Sequence, residues 1–188
     1  MIRSRHICLI GVALVVLGYV GVGYCDEMAL MAVGLRGGIS VKGESPLGEQ
    51  MREDFTGGDV FGLYRLPWSW YSKSGWGVGT RLITSAGALS ALEKVALVSS
   101  VTPLLALGTQ DGRFTIDAGL GGALISAHRF GRHDLGGPFQ FTATAGISIM
   151  PFKPLGVGYR FQHYSDGTIY GTETRGVDLH MIELTYRY

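Results

Sequence analysis

The sequence predicts an all-β fold, an eight-stranded antiparallel transmembrane β-barrel, and three observations carry that reading. The first is hydropathy. Its mean is positive, yet beyond residue 25 no apolar stretch approaches the ~20 residues that a spanning helix needs. The second is alternation: successive segments switch between apolar and polar side chains with the two-residue period of a strand. The third is the connections, which alternate between long or polar and tight, as in barrels with short periplasmic turns and longer outer loops. A soluble lipocalin-like barrel is the alternative, and it would hide its apolar side chains inside.

The first 25 residues stand apart. Arg3 and Arg5 precede an apolar run from Ile7 to about Leu17, and small residues continue to Gly23 and Cys25. This is the pattern of a secretory signal peptide, with cleavage expected after Cys25. A single membrane-spanning helix is the competing reading, but the apolar run is short and interrupted by glycines. Cys8 and Cys25, the two cysteines of the chain, would leave with the leader. Residues 26–188 would then form one barrel domain with no thiol and no disulfide. Lys+Arg number 16 against 15 Asp+Glu, so no basic footprint points to nucleic acid.

Eight segments follow in order, each bounded by turn or polar sequence. Ala29 to Val41 ends at "KGESPLGEQMREDF", Asp59 to Leu66 at "PWSWYSKSG", and Trp76 to Ala86 at "GALSALE". Lys94 to Leu107 ends at the tight "TQDG", and Arg113 to Ile125 at "SAHRFGRHDLGG". Phe139 to Met150 ends at the tight "PFKP", Leu155 to Ser165 at "DGTIYGTETRG", and Val177 to Tyr188 closes the set. In the last segment Ile182, Leu184, Tyr186 and Tyr188 share an apolar face, which should meet lipid. Glu183 and Arg187 fall on the other face, as a charge pair in the lumen.

Candidate chemistry lies at the end of the seventh segment. Side chains two apart share a face, so Tyr159, Phe161, His163 and Ser165 should face lipid while Arg160 and Gln162 face the lumen. Ionisable groups toward lipid are functional candidates. With the last segment descending from the outer surface, His163 and Ser165 lie near the outer leaflet. Asp178, in phase with Ile182, lies across from them, and His163 falls near Asp178 or His180. A serine hydroxyl needs a histidine to take its proton, and a carboxylate to hold the imidazole. Asp166, Glu173 and Asp178 compete for that last role. Asp178 is favoured because it sits on a strand in phase with the lipid-facing residues.

The residues "YRFQHYSDG" (159–167) and "TRGVDLHMIELTYRY" (174–188) resemble the C-terminal hairpin of the lipid A 3-O-deacylase (PagL-type) family of outer-membrane barrels. The resemblance implies an eight-stranded barrel with a Ser-His-Glu triad on its membrane-facing surface. It also implies hydrolysis of the acyl ester at the 3-position of lipid A, without metal or other cofactor. Carried over by position, His163 matches the base, Ser165 the nucleophile and Asp178 the acid. Departures are Asp166, where the family usually has Asn, Thr174 near a second Asn implicated in the oxyanion site, and Asp in place of Glu. Since the chain has no asparagine, an oxyanion hole would use backbone N–H groups at Asp166 or Gly167, or the Thr174 hydroxyl.

The implied partner is lipid A, or lipopolysaccharide, in the outer membrane; pairing of two barrels is left open. A cation held by His163, Asp178 and His180 is a weaker reading, because no ligand-spacing motif supports it. A non-catalytic barrel that binds lipopolysaccharide or supports the envelope is the main rival. Arg129 and Arg132, in "HRFGRHD", could meet lipid phosphates in either case.

Overall fold

The computed structural model describes residues 28–40, 43–44, 50–51 and 53–188; the expected leader, with Cys8 and Cys25, lies outside the described residues. The chain forms β1 (Ala29–Ile39), β2 (Thr56–Tyr71), β3 (Trp76–Ala91), β4 (Lys94–Thr109), β5 (Phe114–Ile125), β6 (Phe139–Phe152), β7 (Leu155–Ser165) and β8 (Val177–Arg187). Each strand pairs antiparallel with its neighbour in sequence, and β1 closes the ring against β8. Closure satisfies every edge, which a sheet surrounded by lipid requires.

The burial pattern is the inverse of a soluble barrel. Leu97, Leu120 and Leu184 are 69%, 73% and 60% exposed, while Arg36, Arg160 and Glu183 are buried. Tyr159, Leu184 and Tyr186 point outward, and Arg160, Gln162 and Glu183 are enclosed, as the alternation predicts.

Inside, Arg36 Nε lies 2.7 Å from Asp59 Oδ1. Arg160 Nε lies 2.6 Å from Glu183 Oε1, and its Nη1 2.8 Å from Asp117 Oδ1. Arg36 Nη1 adds a 3.6 Å contact to Glu183. Opposite charges fill the middle of the lumen, where neither sign could be left alone in so enclosed a space. Toward the loop end an apolar cluster takes over, built from Phe55, Leu89, Val98, Ile125, Phe130, Leu135, Val177 and Leu179.

Three expectations need correction. "GALSALE" is mostly strand: β3 runs to Ala91, which pairs with Lys94, and Leu92 and Glu93 alone make the turn, with φ of 48° and 62°. Leu89 and Ala91 face inward into the apolar cluster, and that burial prolongs the ladder. "PWSWYSKSG" also belongs largely to β2, which continues to Tyr71. A register shift between Arg65 and Ser69 absorbs Pro67, which lacks an N–H for the ladder. Finally, Glu183 pairs with Arg160 rather than Arg187, whose Nη1 donates to the Gly112 carbonyl at 2.9 Å. Alternation assigns a face, but the partner across a lumen depends on how the barrel closes.

Candidate active site

His163 and Asp178 are brought together by register. They are direct cross-strand partners on β7 and β8, on the parity of the outward-facing Tyr159 and Ile182. The imidazole Nδ1 meets Asp178 Oδ1 at 2.5 Å. Both residues are buried despite facing outward, at 8% and 3% exposure. Among the described residues Asp178 Oδ2 has no hydrogen-bond partner, and Oδ1 engages the imidazole. Low solvent exposure strengthens this contact relative to one in water.

Ser165 ends β7, two residues beyond His163 on the same face, half-buried and in register with Phe141 of β6. With Asp178 on Nδ1, Nε2 is the nitrogen left for a hydroxyl. Such an arrangement can abstract a proton from a serine and return it to a leaving group.

The other two carboxylates sit differently. Asp166 is buried and turned into its own loop. Its oxygens accept the Thr168 N–H at 3.1 Å, the Tyr170 N–H at 3.1 Å and the Thr174 hydroxyl at 2.9 Å. Glu173 is exposed in mid-loop. The Thr174 hydroxyl has one hydrogen, placed between Asp166 Oδ1 and the Gly171 carbonyl. Gly167 takes a φ of 58°, so the chain turns sharply just past Ser165, in a conformation glycine adopts without strain.

His180 belongs to a different contact. Its Nδ1 lies 2.6 Å from the Tyr159 hydroxyl, and Phe161 packs edge-on against its ring. Among the described residues no three His, Cys, Asp or Glu side chains are arranged to hold a metal ion. Arg129 Nε is held by Asp134 at 2.6 Å, while Arg132 is exposed.

Sequence reasoning named Arg129 and Arg132 in a second loop but missed how that loop packs against the first. Residues 126–138 pack onto residues 166–176 through the Arg175 N–H to the Asp134 carbonyl, 2.9 Å, and through His133 Nε2 to the Gly176 carbonyl, 3.0 Å. A Cβ on Gly136, whose φ is 90°, would fall 2.6 Å from Asp166 Oδ2, and one on Gly137 2.4 Å from the Tyr170 ring. The Gly136–Gly137 pair was the available signal: two glycines before a strand mark a close approach of chains. Partial burial pushes the Asp134 carboxyl up, but the Gly136 N–H, Arg129 and His128 outweigh it and hold the group below the usual range.

Comparison with known proteins bears on this geometry. The lipid A deacylase PagL of Bordetella bronchiseptica is 30% identical over 76 residues, 40% of this chain and 41% of that protein; the match thus spans less than half of that relative's length. The crystal structure of the outer membrane enzyme PagL superposes with a TM-score of 0.62 at 19% identity, covering 84% of this chain and 99% of that one. At that identity the likeness shows a shared fold. A family model described as "Lipid A 3-O-deacylase (PagL)" matches residues 58–187, from the start of β2 to the end of β8, and so the chain belongs to the lipid A 3-O-deacylase (PagL) family.

Proposed function

We propose that this chain is an outer-membrane ester hydrolase that removes the 3-O-linked acyl chain of lipid A, working in the outer leaflet. Ser165 is the nucleophile, His163 the base and Asp178 the acid that orients it. The observation that carries this reading is the 2.5 Å contact between His163 Nδ1 and Asp178 Oδ1 on the lipid-facing side of the barrel. Family membership supplies the substrate class.

The steps follow from that contact. Asp178 accepts the Nδ1 hydrogen, which keeps Nε2 unprotonated and aimed away from the carboxylate. Nε2 takes the Ser165 proton as Oγ attacks the acyl carbonyl, and the resulting imidazolium is stabilised by Asp178. The backbone N–H groups of Asp166 and Gly167, the nearest in sequence to Ser165, are the proposed donors to the oxyanion. Collapse breaks the bond to the sugar oxygen, which receives the proton from Nε2. Water, deprotonated by Nε2 of His163, then attacks the acyl-Ser165 ester; Nε2 returns that proton to Ser165 Oγ as the bond breaks and the fatty acid leaves.

An outward-facing site lets a lipid substrate reach Ser165 sideways without leaving the leaflet. Arg132, exposed on the adjacent loop, is the proposed contact for a substrate phosphate. Residues 1–25 are proposed to direct export and to be removed after Cys25; Edman sequencing of the membrane-embedded protein should begin at Asp26.

Lipid A from cells with and without the protein tests the activity. Mass spectrometry should show loss of one hydroxyacyl chain only where the protein is made. Unchanged lipid A in several hosts would favour a barrel that binds lipopolysaccharide without cutting it.

A further inference from the structure

The end of the barrel opposite the proposed active site carries a cluster of cations that neither the ion network nor the chemistry above uses. Arg65 of β2 and Arg81 of β3 are direct cross-strand partners, a placement that like charges disfavour. Arg187 lies at the same mouth of the lumen. Together with Lys153 they line a cavity of about 520 Å³ at this mouth of the lumen, bordered also by Tyr71, Gln110, Asp111 and Tyr188.

Counter-charge is scarce. Among the described residues Asp111 is the carboxylate that lines the cavity; it accepts the Arg113 N–H at 3.1 Å and lies 3.4 Å from the Arg113 guanidinium, and the charges of Lys153 and Arg187 share it. Asp117, deeper in the lumen, is bound to Arg160 at 2.8 Å. Arg81 is buried and donates to the Thr115 hydroxyl at 3.3 Å rather than to a carboxylate. Among the described residues four cations therefore line the cavity with one carboxylate.

Beside the cavity lies an apolar trough of about 850 Å³ on the lipid-facing side of β7, β8, β1, β2 and β3, and Leu30 lines both. Its walls include Val33, Leu35, Val60 and Leu184, with glycine at Gly62 and Gly156. A cationic mouth that meets an apolar trough at Leu30 matches a molecule with a phosphate head and an acyl tail.

We propose that the end of this barrel opposite the proposed active site binds a glycerophospholipid of net negative headgroup from the inner leaflet, its phosphate among Arg65, Arg81, Lys153 and Arg187 and one acyl chain along the trough. The orientation rests on the reading above that the active site faces the outer leaflet; the binding itself does not depend on deacylase activity. Guanidinium and ammonium groups converging on a dianion or monoanion are the usual chemistry of phosphate recognition.

Native mass spectrometry of the full barrel, released from neutral detergent with added phosphatidylglycerol or phosphatidylcholine, tests this. Phosphatidylglycerol should bind about tenfold more tightly, and the combined Arg65→Gln and Lys153→Gln variant should lose that preference. Neither residue belongs to the proposed catalytic set, and heat-modifiable migration on a gel checks that the variant is folded. A parallel titration with inorganic phosphate separates the sources: no saturable displacement at millimolar concentration supports a lipid site, and full displacement overturns the lipid in favour of a free anion. Equal retention of both lipids, or unchanged preference in the folded variant, would also overturn the proposal.

Discussion

Asp178 is the residue on which the catalytic reading turns. It meets the imidazole at 2.5 Å from a strand, whereas Asp166 is engaged by three donors of its own loop. Asp178→Asn should leave a folded barrel and lower turnover by roughly 10²- to 10⁴-fold, as expected when the orienting acid of a triad is lost. Glu173→Gln should change the rate little, and release of fatty acid from lipid A by the two variants measures the difference. A second prediction concerns Asp166. Asn in its place retains an acceptor for the Thr168 N–H and the Thr174 hydroxyl, while Ala retains none. Asp166→Ala should therefore loosen residues 166–176, with faster amide exchange at Thr168 and Tyr170, and lower kcat by about tenfold or more, one to two hydrogen bonds' worth of positioning. Asp166→Asn should restore protection at Thr168 and most of kcat, while exchange at Tyr170 stays fast. Comparable exchange in all three proteins would remove Asp166 from the account. The pairing of His163 with Asp178 was legible in sequence because two-residue parity placed both on one face at facing strand ends. The commitment of Asp166 was not, since it depends on a left-handed turn at Gly167 and on a glycine of another loop.

At the level of elements, β7 and β8 show how closely alternation defines a strand: the sequence bounds Leu155 to Ser165 coincide with β7. The β3–β4 hairpin shows where that signal fails. Its turn residues, Leu92 and Glu93, both adopt positive φ, the conformation of a two-residue type I′ turn, without the Asn or Gly that would announce it. Side chains at these two positions strain the backbone by about 1–2 kcal/mol each. Replacing Leu92–Glu93 by Asn–Gly should raise the midpoint of urea unfolding, by roughly 1–3 kcal/mol in stability by the same estimate. A lowered midpoint would mean that Leu92 contributes more by packing against the loop at Gly131, where the two nearly touch. Pro67 misled in the opposite direction, because a proline inside a strand reads as a break unless a bulge accommodates it.

The whole molecule combines a charged lumen, an apolar cap at the loop end and an apolar outer wall, and these three zones determine where the chemistry can sit. The wall and the polar interior followed from composition and parity. The ion partners did not, because Arg160 on β7 reaches Asp117 on β5, a contact that exists only once the barrel is closed. Breaking this network should be expensive. Glu183→Gln leaves Arg160 and Arg36 with one carboxylate fewer in an enclosed lumen and should destabilise the barrel by about 3–5 kcal/mol, read as an earlier urea transition by tryptophan fluorescence. The outer face, by contrast, holds the proposed site, where Ser165 would be the nucleophile working on lipid A. The most direct measurement incubates the purified barrel, in detergent micelles, with 3-O-acylated lipid A and follows the lipid mass for the wild type and for Ser165→Ala. The wild type should release one ester-linked hydroxyacyl chain and the folded variant none; equal cleavage by both, or by neither, would contradict the account.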